Sequence, residues 1–146
     1  MAIKVKLLNK NSKIPTKGSN FAAGYDLYAC IDKEYIEIQP HCTHKIGTGV
    51  AITPPQGCFG ALFARSGLAT KQGLRPANCV GVCDEDYTGE YIVAIHNDTD
   101  VSQRIYNADR IAQVVFLPYQ KNDEIEIVGE LDSTDRGDSG FGSTGR

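Results

Sequence analysis

No stretch of this sequence is both long and apolar. The N-terminal MAIKVKLLNKNSKIP spaces lysines through its apolar residues, so the unbroken run and small-residue cleavage site of an export signal are missing. Nothing approaches the roughly 20 apolar residues that a membrane-spanning helix needs. Basic excess is missing too. Fifteen Lys and Arg stand against eighteen Asp and Glu, a formal charge of −3, which argues against the basic footprint that displaces counterions from nucleic acid. Net charge still leaves room for a nucleotide at a local cluster of donors. There is no internal repeat and no long low-complexity tract. Cysteine is present in odd number, five in all (Cys30, Cys42, Cys58, Cys79 and Cys83), in a chain large enough to fold without staples. These read as buried free thiols of a reducing compartment. The expectation is a soluble cytoplasmic protein with neither a nucleic-acid nor a membrane partner.

What is present is a globular composition, 41% hydrophobic and 23% charged over 146 residues, enough for one domain with a real core. Period-two alternation dominates. Ile3, Val5 and Leu7 alternate with lysines, Ile36 and Ile38 flank Glu37, and Ile125 and Ile127 alternate with glutamates. Each such run predicts a strand with one wet face. The denser runs Tyr91–Ile95 and Ile111–Leu117 predict strands covered on both sides. Fifteen glycines and six prolines punctuate the runs at short intervals, as in a sandwich or barrel. One short helix is expected to start near Ser66 and end before Gly73. The reading is an all-β domain over residues 1–131. From Asp132 onward the sequence DSTDRGDSGFGSTGR holds one aromatic and no aliphatic residue, so residues 132–146 are expected to form a flexible Gly-rich arm.

Five local matches do not carry the chemistry they suggest. Gly140-Phe141-Gly142-Ser143-Thr144-Gly145 fits GxGxxG, but that fingerprint works between a strand and a helix, and no helix can follow in a single residue. Arg136-Gly137-Asp138 and Asn97-Asp98-Thr99 resemble a cell-adhesion tripeptide and a glycosylation acceptor, which matter only outside the cell. The clusters His41-Cys42-Thr43-His44 and Cys79/Cys83 lack the paired-knuckle spacing of structural zinc.

Five segments remain. Ala64-Arg65-Ser66-Gly67-Leu68-Ala69 ends an apolar strand and opens the helix, so a guanidinium fork, a hydroxyl and free N–H groups converge where an anion would bind. Read alone, it also describes an N-cap serine beside a solvated arginine. Asn78-Cys79-Val80 leads into Gly81-Val82-Cys83-Asp84-Glu85-Asp86-Tyr87-Thr88-Gly89-Glu90, a glycine-bracketed acidic turn between apolar strands. Alone it is a solvated hairpin tip. With its amide, backbone groups and aromatic it could also read a base edge and pack on a sugar, while an acid activates water. Asp109-Arg110-Ile111-Ala112-Gln113 and Ala22-Ala23-Gly24-Tyr25-Asp26-Leu27 each set polar residues at a strand, and the arm is the fifth.

In this order and at these spacings the segments AAGYDLYA, ARSGLA, NCVGVCDEDYTGE, DRIAQ and RGDSGFGSTG closely resemble the five motifs of the trimeric dUTPase family. The resemblance runs from Ala22 to Gly145. It implies a jelly-roll-type β-barrel assembled as a homotrimer that hydrolyses dUTP to dUMP and pyrophosphate with Mg²⁺. Active sites would be shared, one subunit giving the hairpin, a second the arginine–serine–glycine turn, and the third its arm as a lid. Asp84 resembles the family's general base, and Asn78 with the backbone of Val82 and Cys83 the uracil readers. Tyr87 resembles the ring under deoxyribose that leaves no room for a 2′-hydroxyl. Arg65, Ser66, Gly67 and Gln113 resemble the phosphate contacts, and Arg136, Phe141, Gly142, Ser143 and Thr144 the lid's contacts to base and γ-phosphate. Asp26 matches an acid near the metal's waters, and the metal itself is implied to be held by the triphosphate rather than by a protein cage. The chain departs from the pattern at Ala64, Ala108, Ser139 and Cys83, where proline, glycine, glycine and isoleucine are usual. The alternatives are a dCTP deaminase-type relative on the same barrel and a regulatory dUTP-binding protein.

Overall fold

The computed structural model describes residues 3–121 and 124–138. Ten strands and one helix follow in order: β1 (Lys4–Leu7), β2 (Tyr25–Tyr28), β3 (Tyr35–Ile38), β4 (Thr43–Thr53), β5 (Cys58–Phe63), α1 (Ser66–Gln72), β6 (Leu74–Pro76), β7 (Gly81–Cys83), β8 (Glu90–Asn97), β9 (Gln103–Tyr106) and β10 (Arg110–Pro118). They form two four-stranded sheets, ordered β1-β4-β8-β6 and β2-β10-β5-β7, and a two-stranded β3-β9 ribbon. Every pairing is antiparallel. Neighbours in a sheet are seldom neighbours in sequence, so most pairings cross between distant parts of the chain. The all-β expectation holds.

The core lies between the sheets in two clusters. One gathers Ile38, Ile46, Leu74, Val93, Ile95, Ile105 and Ile111; the other gathers Leu27, Val50, Ile52, Leu62, Tyr91 and Val114. Most are β-branched, the residue type that packs well on a pleated surface. The helix has the expected span. Gly73 ends it in the left-handed region at φ 65°, with its N–H returning to Ala69, the C-terminal stop that glycine permits.

Four expectations are corrected. Residues 124–128 form no strand, although Ile125 and Ile127 alternate with glutamates. A strand exists only with a hydrogen-bonding neighbour, and none among the described residues pairs with this segment, so both isoleucines stand 94% and 96% exposed. Tyr91–Ile95 is covered on one face only: Tyr91, Val93 and Ile95 enter the core while Ile92 points outward. In β10 coverage is complete only near Ile111 and Ala112 and declines toward Pro118. The thiols are all free, but only Cys83 is buried, with Cys42 and Cys79 exposed.

Among the described residues, Asn97 and Thr48 are the buried polar side chains, and Asn97 makes the larger set of hydrogen bonds. Its amide nitrogen donates to the carbonyls of Ile38 (3.0 Å) and Val101 (2.8 Å), and its oxygen accepts from the Thr99 amide and hydroxyl. It is fully buried, so the Asn97-Asp98-Thr99 tripeptide has no side chain to offer to a glycan.

Candidate active site

The acidic hairpin is positioned by β7, which pairs with β5 in the register Gly60↔Cys83, Ala61↔Val82 and Leu62↔Gly81. The strand is only three residues long, so the chain leaves the sheet at Asp84 and turns at once. Around this exit lies a recess of about 200 Å³ lined by Leu62, Asn78, Gly81, Val82, Cys83, Asp84, Tyr87, Glu90 and Ile92. That is smaller than the roughly 300–1,000 Å³ of a drug-sized site. A side chain at Gly81 would press on Leu62 and on the Asn78 amide at 3.1–3.3 Å, so glycine lets Asn78 lie across the floor. Five residues singled out in sequence, Asn78, Val82, Cys83, Asp84 and Tyr87, meet here. Leu62, Gly81, Glu90 and Ile92 were missed. Gly81 and Glu90 lie inside the hairpin motif, whereas Leu62 and Ile92 are brought in only by pairing.

The chemistry of the walls is mostly neutral. Burial pushes the Cys83 thiol up to about 11, so it stays protonated. The Tyr91 phenol behind it is pushed up as well, by burial first and then by the adjacent Cys83. Its hydroxyl is buried without a hydrogen-bond partner among the described residues. Asp84 is exposed at the mouth of the recess, where a water can reach it. Its neighbour Glu85 turns away, accepting from Tyr119 Oη (2.9 Å) and the Gly57 amide (3.2 Å) and pairing with Lys121 Nζ. Lys121 foremost holds the Glu85 carboxyl below its usual range. This side of the hairpin forms a broad open depression of about 680 Å³ lined by Phe59, Val82, Asp84, Glu85, Asp86, Tyr119 and Lys121.

The second group lies at the far end of β5. Gln113 pairs with Asp26 on one side and Phe63 on the other, so the polar groups of β2 and β10 lie side by side next to the end of β5. Arg65 Nε donates to Asp26 Oδ1 at 2.8 Å and Arg110 Nη1 to Asp26 Oδ2 at 3.3 Å. One carboxylate thus fixes two guanidinium groups side by side, and Arg110 was not singled out in sequence. Gln113 Nε2 donates to the Ala64 carbonyl at 3.0 Å, which ties the turn before α1 to β10. Arg65 rather than Ser66 occupies the cap position, and no side chain caps the helix, so Ser66 and Gly67 present first-turn N–H groups to solvent.

These two groups do not meet within the chain. Cys83 lies opposite Gly60, so Asp84 leaves the sheet near Phe59, while Arg65 follows Phe63 at the other end of the same strand. The four strand steps from Phe59 to Phe63, at about 3.3 Å each, span roughly 13 Å, and Arg65 lies two residues beyond the strand's end. Arg136 lies in a short exposed turn in which the Gly137 amide returns to Thr134. Phe141, Gly142, Ser143 and Thr144 lie outside the described residues.

The strand order defines a jelly-roll β protein with a small recess at one end of a strand and an arginine pair held by Asp26 near the other. A family model described as dUTPase matches residues 10–145. The chain is 47% identical over 149 residues to the deoxyuridine 5'-triphosphate nucleotidohydrolase of Desulfitobacterium hafniense, covering 99% of this chain and 97% of that protein. It is 40% identical over 150 residues to the one from Kluyveromyces lactis, covering 99% and 95%. Among solved structures it resembles the Staphylococcus bacteriophage 80alpha dUTPase with dUPNHPP, with a TM-score of 0.89 and 31% identity over 99% of each chain. It also resembles the dUTPase of phage phi11 of S. aureus, described with a structural Mg(II) ion, with a TM-score of 0.80 and 26% identity over 91% of this chain and 100% of that one. The chain belongs to the dUTPase family.

Proposed function

We infer that this chain is a dUTP diphosphatase that hydrolyses dUTP to dUMP and pyrophosphate, and we propose that Asp84 is the general base. The observation that carries the assignment of roles is the recess itself, which sets a carboxylate, an amide, exposed hairpin backbone and an aromatic ring around one small volume. Asn78 and the backbone of Val82 and Cys83 read the uracil edge, Tyr87 packs against the deoxyribose, and Asp84 takes a proton from the water that attacks the α-phosphorus. The bond from that phosphorus to the bridging oxygen breaks, and pyrophosphate leaves. Arg65, Ser66, Gly67 and Gln113 form the phosphate station, and Arg110 joins them through Asp26.

Roughly 13 Å of strand and two further residues set Asp84 and Arg65 of one chain at opposite ends of β5. This favours a site completed by a second copy, and we propose the homotrimer. Bare apolar surface supports assembly. Ile125 and Ile127 are uncovered, and a groove of about 400 Å³ runs between Ile3, Val5, Ile14, Tyr25 and Phe116. Residues 3–121 then form the catalytic body. The segment from Asp132, with Arg136, Phe141, Gly142, Ser143 and Thr144, closes over the substrate as a lid.

Magnesium is the cation this reading implies, and it would neutralise charge across the phosphate oxygens. The donors present fit it as an ion carried by the triphosphate. Asp26 offers hard carboxylate oxygens, but both are committed to arginines. It therefore suits a hydrogen bond to a cation's water rather than a place in the inner shell.

The assay is release of pyrophosphate from dUTP, dCTP, dTTP and UTP side by side, with ammonia release from dCTP followed in parallel. We expect dUTP to be preferred over dCTP by about 10⁴-fold, because cytosine exchanges a donor and an acceptor on the edge that is read. Comparable turnover of the two, or ammonia from dCTP, would overturn the reading of the recess.

A further inference from the structure

Glu90 lines the recess, yet its side chain is held by a different part of the sheet. The β4–β8 ladder slips between Gly47↔Ile92 and Ala51↔Glu90, so residues 48–50 bulge out opposite Tyr91 alone. Bulges of this kind re-aim neighbouring groups. Here the bulge grips the start of β8 at two points. The Gly49 amide donates to Glu90 Oε1 at 2.7 Å, and the buried Thr48 hydroxyl donates to the Tyr91 carbonyl at 2.6 Å. Gly49 stands at φ +68°, a conformation suited to glycine, and its carbonyl is itself held by the Ser12 hydroxyl (2.7 Å) and the Leu8 amide (2.8 Å). A side chain at Gly47 would occupy the place of Glu90 Oε1. The Glu90 carboxylate is thus docked in a socket built for it.

The consequence is felt three residues earlier. Tyr87 Oη donates to the Glu90 carbonyl at 2.9 Å, and the Tyr87 ring leans on the fully buried Tyr91 ring at 6.2 Å between centroids. Both anchors of Tyr87 therefore belong to the two residues that the bulge fixes. An exposed tyrosine at a hairpin tip would otherwise sample several rotamers.

We propose that Glu90 is a positioning residue for sugar selection: seated in the β4 bulge, it sets the height of the Tyr87 ring and so the clearance that admits a 2′-deoxyribose and rejects a 2′-hydroxyl. This rests on the reading of Tyr87 as the sugar-packing ring. Glu90 touches no reacting atom in this scheme. Its effect appears in the choice between dUTP and UTP rather than in the chemical step.

The test is the ratio of kcat/KM for dUTP over UTP in wild type, Glu90→Ala, Glu90→Gln, Tyr87→Phe and Tyr87→Ala, with the melting temperature of each. Glu90→Ala should lower the ratio by about 10-fold or more, since a displacement of about 1 Å at a site costs up to 10². Glu90→Gln keeps an oxygen for the Gly49 amide and should restore most of the ratio. Tyr87→Phe loses the bond to the Glu90 carbonyl and should behave like Glu90→Ala. If Tyr87→Ala lowers the ratio but Glu90→Ala does not, the proposal fails while the reading of Tyr87 stands. If Tyr87→Ala itself leaves the ratio unchanged, both fall. Should Glu90→Ala fold poorly, Thr48→Ala, which removes only the hydroxyl on the Tyr91 carbonyl, carries the same expectation at smaller size, and an unchanged ratio there overturns the proposal.

Discussion

The hairpin recess and the arginine station are built by opposite means. Around the recess, shape does the work. Gly81 makes space, Leu62 and Ile92 make walls, Cys83 stays a neutral thiol, and of its two carboxylates Asp84 faces solvent while Glu90 is docked on the Gly49 amide. At the station charge does the work: one carboxylate, its side chain 14% exposed, holds two guanidinium groups that would otherwise repel. The recess is held by packing, and the station by ion pairs. A nucleotide has one end to suit each, a planar base and a polyanion. The two surfaces nonetheless sit at opposite ends of β5, and the proposed site therefore takes the recess of one copy and the station of another.

Mixing two inactive variants tests that implication most severely. Asp84→Asn should lose about 10²–10⁴-fold in kcat, the worth of a positioned base, and Arg65→Ala about 10²–10³-fold, that of a donor to developing charge. If recess and station come from different subunits, equal co-assembly of the two variants leaves about a quarter of the sites with both parts intact. Activity should recover to about that fraction of wild type. No recovery after verified subunit exchange would place both parts in one chain and break the comparison.

A smaller loss is expected on shortening the arm. Every described residue from Glu124 to Asp138 is exposed, so truncation after Asp135 should leave the melting temperature nearly unchanged. Turnover should fall by roughly 10²-fold, because closure both excludes water and completes the geometry. Phe141→Ala should show a milder form of the same loss. A collapsed melting temperature would make the tail structural, and full activity would remove its role as a lid.

How much of this was legible in sequence depends on how local each feature is. The short helix carried its own stop in Gly73, and period-two alternation marked the strands β1 and β3, although both faces of β1 are exposed where one was expected to be covered. The hairpin residues Asn78 through Tyr87 lie within ten positions and could be grouped by eye. What the sequence concealed needed a partner strand. Leu62 and Ile92 enter the recess only through the β5–β7 and β4–β8 pairings, and Arg110 joins Asp26 across 84 positions. Alternation also misled. Ile125 and Ile127 have the period of a strand, but periodicity says which face would be buried and is silent on whether an edge is there to receive it. The Tyr91–Ile95 run was misjudged for a related reason, since an apolar outer face in one chain is covered only if something else packs on it.

The smallest effect concerns the turn that feeds the station. Ala108 stands at φ +68°, immediately before the Asp109–Arg110 pair, and its amide donates to the Ala29 carbonyl at 2.8 Å. An L-residue in this region costs about 1–2 kcal/mol, part of which is offset because alanine has less freedom than glycine to lose on folding. Ala108→Gly should therefore stabilise the fold by about 0.5–1 kcal/mol, a rise of a few degrees in melting temperature for a chain of this size. The turn touches β10 and not the hairpin, so the preference for dUTP over UTP should not move. Any change in rate should appear in the phosphate-dependent part, because a looser turn lets Arg110 wander from Asp26. Differential scanning calorimetry beside the dUTP and UTP rates separates these outcomes. A shift in sugar preference with no gain in stability would mean that the station and the recess are coupled through β10 and β5, and that the two ends of the strand are not independent.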